Sequence, residues 1–361
     1  MTEKPSLYVC STSGFCGKSI VSLGLALTLQ DKGFKVGYLK PVGWEIGRGL
    51  IGEKIDRDAE LMAHVLNIKM SMEHVVPVIF GSRFLEESEK TDLRLYEEKI
   101  LDAYGKAAKD KDLMILEGTS TLGVGSSIDI DPISLSKKFR SRILMVSRHQ
   151  SDATIDSDIW VKRVIDALGG NFAGQILNQV HRRDIERVRR FALPIFKKCG
   201  VDLLGIIPEE IELMAPTVRE ICDKIKCEVL AGEDKLDNLV EEILVGAMSP
   251  ESSLTYFRRS FKKAVVTGGD RADIQLAALE TDLSALILTG NIYPDAKILS
   301  HAEDLKIPVL LVPWDTYTTV RALSHVTGRI TPQDDKKIKL AKKLVEDNTD
   351  WEKILSNLNI K

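Results

Sequence analysis

The sequence predicts an α/β protein: a parallel-sheet domain built around a phosphate loop (P-loop), a smaller α/β domain after it, and a C-terminal helical extension. Three observations predict this. Short β-rich runs alternate with helical stretches over most of the chain, the pattern of a parallel sheet with helices on its faces. The first run leads into Val-Cys-Ser-Thr-Ser-Gly-Phe-Cys-Gly-Lys-Ser at 9–19, where a glycine, a lysine and a hydroxyl stand between an apolar strand and an apolar helix. A proline break at Met214-Ala215-Pro216-Thr217 then interrupts the alternation before it resumes.

Leu7, Tyr8 and Val9 read as a buried strand, and Ile20, Leu23 and Leu27 recur at helical spacing until Lys32-Gly33 stops the helix. Backbone N–H groups at such a helix start have no intrahelical partner and favour an anion. Thr12, Ser13, Gly14, Gly17, Lys18 and Ser19 are therefore read as a phosphate cradle, with Lys18 adding charge and the Ser19 hydroxyl a ligand for magnesium. The loop departs from the strict pattern, because Thr12 stands where the first glycine belongs and Gly14 lies inside.

Further strands of the first domain are expected at 36–39, 113–116, 143–146, 173–177 and 203–207, after a first at 7–10, with an amphipathic helix at 95–109. Their C-terminal ends form the edge where ligands bind in open α/β sheets. The domains are read as 1–214, 215–330 and 331–361. In the second, strands at 263–267, 285–289 and 309–312 each end in a Gly or Pro turn, and Asp270 is expected to cap a helix beginning near Arg271. If these strands are parallel, the three turns line one edge, as a ligand cleft or, with Trp314 and Tyr317 as anchors, a homodimer interface. The extension is charged and helical to about residue 345 and again over 351–358.

With 361 residues, 44% of them hydrophobic, the chain can bury a large core. Its net charge of −3 and scattered basic residues leave no footprint for nucleic acid; the cluster Arg182, Arg183, Arg187, Arg189 and Arg190 reads as a solvated helix face. Apolar stretches fall short of the roughly 20 residues of a membrane span, and the first residues have no signal-peptide pattern. A cytoplasmic location without membrane contact is expected. Five cysteines without a Cys-x-x-Cys pair are read as reduced, mostly buried thiols, Cys16 being a loop filler beside Lys18.

A magnesium-nucleotide site needs oxygen ligands beyond the loop hydroxyl. Glu117, ending the strand at 113–116, and Asp58, opening a helical stretch, are the candidates beside Ser19. Lys40, in Lys40-Pro41-Val42-Gly43, brings a second lysine to the phosphate loop.

With these residues the first 210 or so positions resemble the dethiobiotin synthetase family, which pairs a lengthened phosphate loop with Lys-Pro-Val, a helix-opening aspartate and a Glu-Gly strand end. The resemblance implies ATP and Mg2+ as ligands, Lys18 and Lys40 as catalytic lysines, Asn178 as a base-recognising amide and Pro208 beside the base. The chain departs from that family on the substrate side. Ser11 replaces the glycine at the loop start, Gly43-Trp44-Glu45 follows the Lys-Pro-Val, and Thr119-Ser120-Thr121 with Gly123-Val124-Gly125 replaces a glycine-rich run. ATP and magnesium binding carry over, and dethiobiotin synthesis does not.

Val266-Thr267-Gly268-Gly269-Asp270-Arg271, Leu288-Thr289-Gly290 and 312–317 resemble the DRTGG domain. The order of the two domains is similar to the N-terminal regulatory region of large phosphotransacetylases, and no catalytic domain of that kind is read within these residues. Many of those regions lack the loop lysine; Lys18 is present here. The expected function is a Mg-ATP-binding protein with regulatory output through its DRTGG domain and a small-molecule effector. The alternative is an ATP-dependent ligase that activates a carboxylate or carbamate.

Overall fold

The computed structural model describes residues 4–44, 56–81, 83–89, 92–324, 326 and 328–360, so Glu45 lies outside the described residues. The chain divides into two compact units, Met1–Glu209 with Thr331–Lys361, and Glu210–Ile330.

The first unit holds strands β1 (Ser6–Ser11), β2 (Val36–Leu39), β3 (Val42–Trp44), β4 (Val78–Phe80), β5 (Leu113–Glu117), β6 (Arg142–Arg148), β7 (Asn171–Val180) and β8 (Leu203–Pro208). Six of them form one sheet in the order β2-β5-β1-β6-β7-β8, with every neighbouring pair parallel. All five residues of β5 and all four of β2 are buried, as expected where helices cover both faces. Register decides where the chemistry lies: Val9 stands opposite Glu117, and Leu39 opposite Leu116. The ends of β1, β5 and β2 therefore finish at one level. The short parallel pair β3 and β4 was not expected, because neither stretch is long enough to show an alternating pattern.

Helix α1 (Lys18–Asp31) buries Val21, Leu23, Leu25, Ala26 and Leu29, on more than one face. A helix that apolar needs a second cover. The C-terminal helix Asp335–Asn348 supplies it by packing along α1. Lys32 reaches Glu346 at 3.2 Å and sits 4.9 Å from the ring centre of Trp351. The last helix, Trp351–Asn357, is tied to the sheet by Asn357 Nδ2, which donates to the Ala173 carbonyl at 2.8 Å. Residues 331–361, expected as a helical extension rather than a third domain, complete the first unit. The crossing to the second unit falls at Glu209 rather than at 214, because the turn Ile211–Met214 is held within that unit by Gly328 N–H donating to the Met214 carbonyl at 2.7 Å.

The second unit holds β9 (Glu228–Ala231), β10 (Glu242–Val245), β11 (Lys263–Gly268), β12 (Leu283–Thr289) and β13 (Val309–Leu311) in the order β10-β11-β12-β13-β9. Only β9 runs antiparallel to its neighbour. Because β11, β12 and β13 are parallel, their turns share one edge, where the Thr289 and Thr316 hydroxyls lie 2.9 Å apart.

Asp270 does not cap the helix Ala272–Leu279: the N-cap is Arg271, without a side-chain cap, and the Asp270 carboxylate folds over Gly268 instead. Cys222 and Cys227 are not free thiols but a disulfide; the helix Val218–Ile225 ends in a left-handed residue, Lys226, that turns the chain back and leaves their Cα atoms 5.1 Å apart. Cys10, Cys16 and Cys199 are free.

Candidate functional site

The phosphate loop leaves β1 and re-enters regular structure at Gly17, whose left-handed backbone (φ 77°) begins α1 without any side-chain cap. A helix start of this kind favours an anion, and the Gly17 carbonyl accepts from Val21 N–H at 3.1 Å. Gly17 is required here twice over, for its positive φ and because a Cβ would stand 2.2 Å from Asn178 Nδ2. Thr12 is half-buried, Ser13 and Gly14 are exposed, and the Ser13 hydroxyl lies 3.1 Å from the buried Cys16 sulfur. Cys10, beneath the loop, is fully enclosed, and burial pushes its thiol well above the usual range.

The structure brings Lys18, Ser19, Lys40, Asp58 and Glu117 together. Glu117, at the end of β5, is fully buried. Its Oε1 meets Lys18 Nζ at 2.9 Å and accepts from the Ser19 hydroxyl at 2.8 Å, while Lys40 Nζ stands 3.8 Å away. Its Oε2 accepts from the Tyr38 hydroxyl at 3.1 Å. Burial, then the charge of Glu117, holds the Tyr38 phenol well above its ordinary pKa. It acts here as a donor only.

Lys40 follows β2 and is 4% exposed. Its ammonium reaches both Asp56 oxygens at 2.8 Å and Asp58 Oδ2 at 3.3 Å. Burial by itself would lower the Lys40 pKa; the charges of Glu117, Asp58 and Asp56, with the Asp56 hydrogen bond, outweigh it and hold the group above the ordinary lysine value. Lys40 is a fixed cation. Helix α2 (Arg57–Val65) presents Asp58 in its first turn, but its N-cap is Asp56, which accepts from Ala59 N–H at 3.1 Å. The sequence reading missed Asp56 and Tyr38. An aspartate two places before Asp58 and just ahead of a helix was a legible capping signal; Tyr38, inside an apolar strand, looked like core.

Asn178 and Pro208 lie at the ends of β7 and β8. The Asn178 Nδ2 donates to the Cys16 carbonyl at 2.8 Å, and Gln179 Nε2 to the Phe15 carbonyl at 3.2 Å, so two consecutive amides brace the loop. Gln179 was not read from the sequence. Pro208 stands opposite Val180 in the ladder, and Glu209 beyond it pairs with His181 at 2.7 Å.

Among the described residues no three His, Cys, Asp or Glu side chains form a metal-holding cluster. No helix among the described residues is long and apolar enough to cross a membrane.

Residues 5–217 match the family model of the AAA domain, and residues 220–326 match the DRTGG domain. A phosphate acetyltransferase of Nitratidesulfovibrio vulgaris is 25% identical over 371 residues, covering 98% of this chain and 51% of its own length. One from Pseudomonas putida is 28% identical over 353 residues, covering 92% of this chain and 48% of its own. The chain therefore spans about half the length of the curated relatives it matches. Among solved structures, the CBS and DRTGG domains of the regulatory region of Clostridium perfringens pyrophosphatase, complexed with its activator diadenosine tetraphosphate, cover 40% of this chain and 69% of that one, at 23% identity and a TM-score of 0.27. The cell division protein MinD of Aquifex aeolicus covers 57% of this chain and 82% of its own, at 17% identity and a TM-score of 0.35.

Proposed function

We propose, for a chain that belongs to the AAA domain family and carries a DRTGG domain behind it, that the loop Thr12–Ser19 binds Mg-ATP and that the bound state is read out as regulation rather than as synthesis. The observation that carries this reading is the convergence of Lys18 and Ser19 on one oxygen of the buried Glu117, at the uncapped start of α1. Two lysines and a helix N-terminus offset the charge of a polyphosphate, and Ser19 with Glu117 or Asp58 would hold its magnesium. Magnesium supplies charge neutralisation across the phosphate oxygens. The protein's own part is to orient the phosphates along the loop and to hold Lys40 on their far side.

The regulatory output draws on the second unit, with a small-molecule effector or a second copy of the chain as its partner, in the cytoplasm. The phosphate acetyltransferase relatives support placing such a module beside acetyl-transfer chemistry. One observation favours a second reading: Lys40 is a buried, permanently charged group beside Glu117, as an ATP-dependent ligase of dethiobiotin synthetase type would need to neutralise a transferred phosphoryl group.

Nucleotide turnover by the purified chain, with and without a metabolite extract, separates the two. The regulatory reading expects saturable ATP binding with slow turnover that the extract leaves unchanged. Extract-dependent release of ADP would replace it with the ligase reading.

A further inference from the structure

Asp56 does three things at once. Both its oxygens hold the Lys40 ammonium, Oδ1 caps α2 by accepting from Ala59 N–H, and Oδ2 accepts from Trp44 N–H at 3.3 Å. It is 1% exposed, so the pair is shielded from competing water. Space for it is made by Gly43: a Cβ there would stand 2.8 Å from Asp56 Oδ2 and 2.7 Å from Val76 Cγ1. The Gly43-Trp44 step, where the chain leaves the pattern its first half resembles, is thus the step that admits Asp56.

The position of Lys40 says what the pairing is for. Lys18 and Ser19 approach Glu117 Oε1 from α1, whereas Lys40 comes from the end of β2, which is separated from β1 by β5. Lys18 lies at the start of α1 against the loop, and Lys40 lies on the β2 side of Glu117, where a terminal phosphate reaching past Glu117 would meet it. Resting on the Mg-ATP reading above, we infer that Asp56 is a positioning residue for nucleotide discrimination: it fixes Lys40 where the terminal phosphate of ATP arrives and so favours ATP over ADP. Without that hold the Lys40 ammonium keeps only Asp58 at 3.3 Å and Glu117 at 3.8 Å and is drawn toward them, so its place at the terminal phosphate shifts and the discrimination falls.

Asp56→Asn tests this in the full chain, because asparagine caps a helix as well as aspartate does but removes the charge that holds Lys40. Calorimetric titrations with Mg-ATP and with Mg-ADP are expected to show ATP affinity lower by about tenfold and ADP affinity changed by less than about threefold, the size of one lost charge-assisted contact to the outer phosphate. Lys40→Met is expected to give the same split. The double variant is expected to be no worse than Lys40→Met alone, since the two residues act through one contact. Gly43→Ala, which crowds Asp56 without changing its charge, provides a second route to the same loss should Asp56→Asn fail to fold. Equal losses for ATP and ADP, an unchanged ratio, or additive single effects would overturn the inference while leaving nucleotide binding intact. A wild-type chain that binds neither nucleotide would instead remove the Mg-ATP reading itself.

Discussion

Gly17 and Asn178 are fitted to one another: a Cβ on residue 17 would fall 2.2 Å from the Asn178 amide nitrogen, and that nitrogen donates to the Cys16 carbonyl at 2.8 Å. The side chain read from the sequence as a base contact therefore also braces the loop, from a strand two places removed in the sheet, with β6 between β7 and β1. Asn178→Ala is expected to weaken tripolyphosphate as well as ATP, each by about fivefold or more, because the loss of a bond to a buried carbonyl costs on the order of 1–3 kcal/mol. Calorimetry with both ligands checks it. Full retention of tripolyphosphate affinity with loss of ATP would mean that the amide serves the base alone.

Lys18 is 9% exposed and paired with the fully buried Glu117. Lys18→Ala removes the phosphate contact and leaves Glu117 facing the anion with one less cation beside it. ATP affinity is expected to fall at least about tenfold. A parallel urea titration should show lower stability too, since breaking one partner of a buried pair leaves the other uncompensated. Unchanged ATP binding would rule out the loop as the site.

Asp158 carries a pH prediction. It is 2% exposed, accepts from the Ser147 hydroxyl at 2.7 Å, and burial pushes its pKa up to about 7 against the opposing effect of that hydrogen bond. Between the ordinary carboxylate value and about 7 the folded chain keeps a proton that the unfolded chain has released. Stability therefore falls as pH rises through that window, and it is fully present only below it. Asp158→Asn is expected to flatten this part of the profile, so that the variant gains relative to wild type between pH 5 and pH 8. Urea midpoints at the two pH values measure it, and the same slope in both proteins would reject Asp158 as the group responsible.

The shared edge of β11, β12 and β13 leads to a last prediction. Tyr317 is 73% exposed and Trp314 36% exposed beside the Thr289 and Thr316 hydroxyls. With the homodimer placed on this edge, Trp314→Ala with Tyr317→Ala should shift the protein toward monomer in analytical ultracentrifugation, because buried aromatic anchors dominate such interfaces. An unchanged mass with an altered thermal response to metabolites would point to a ligand cleft instead. If both stay unchanged, neither reading of the edge survives.

The strands around the site were legible because each is a short apolar run ending in a chemically distinctive residue, as in Leu113–Glu117. The pair β3 and β4 was not, being three residues each with no room for a period. Lys18, Ser19, Lys40, Asp58 and Glu117 were legible as types in order along the chain. Asp56 was legible as a helix cap but not as the partner of Lys40, and Gln179 was not legible at all, because these roles lie in what the side chains touch.

Taken alone, the sequence determined the α/β class, the phosphate loop, the two lysines and two of the carboxylates, since these follow from local pattern and spacing. The tertiary structure decided that residues 331–361 cover α1, that Asp56 rather than Asp58 caps α2 and grips Lys40, and that Asn178 braces the loop. Periodicity records which residues are buried, whereas partnership between buried polar groups is set by sheet order and register, which bring together side chains as distant in sequence as Cys16 and Asn178.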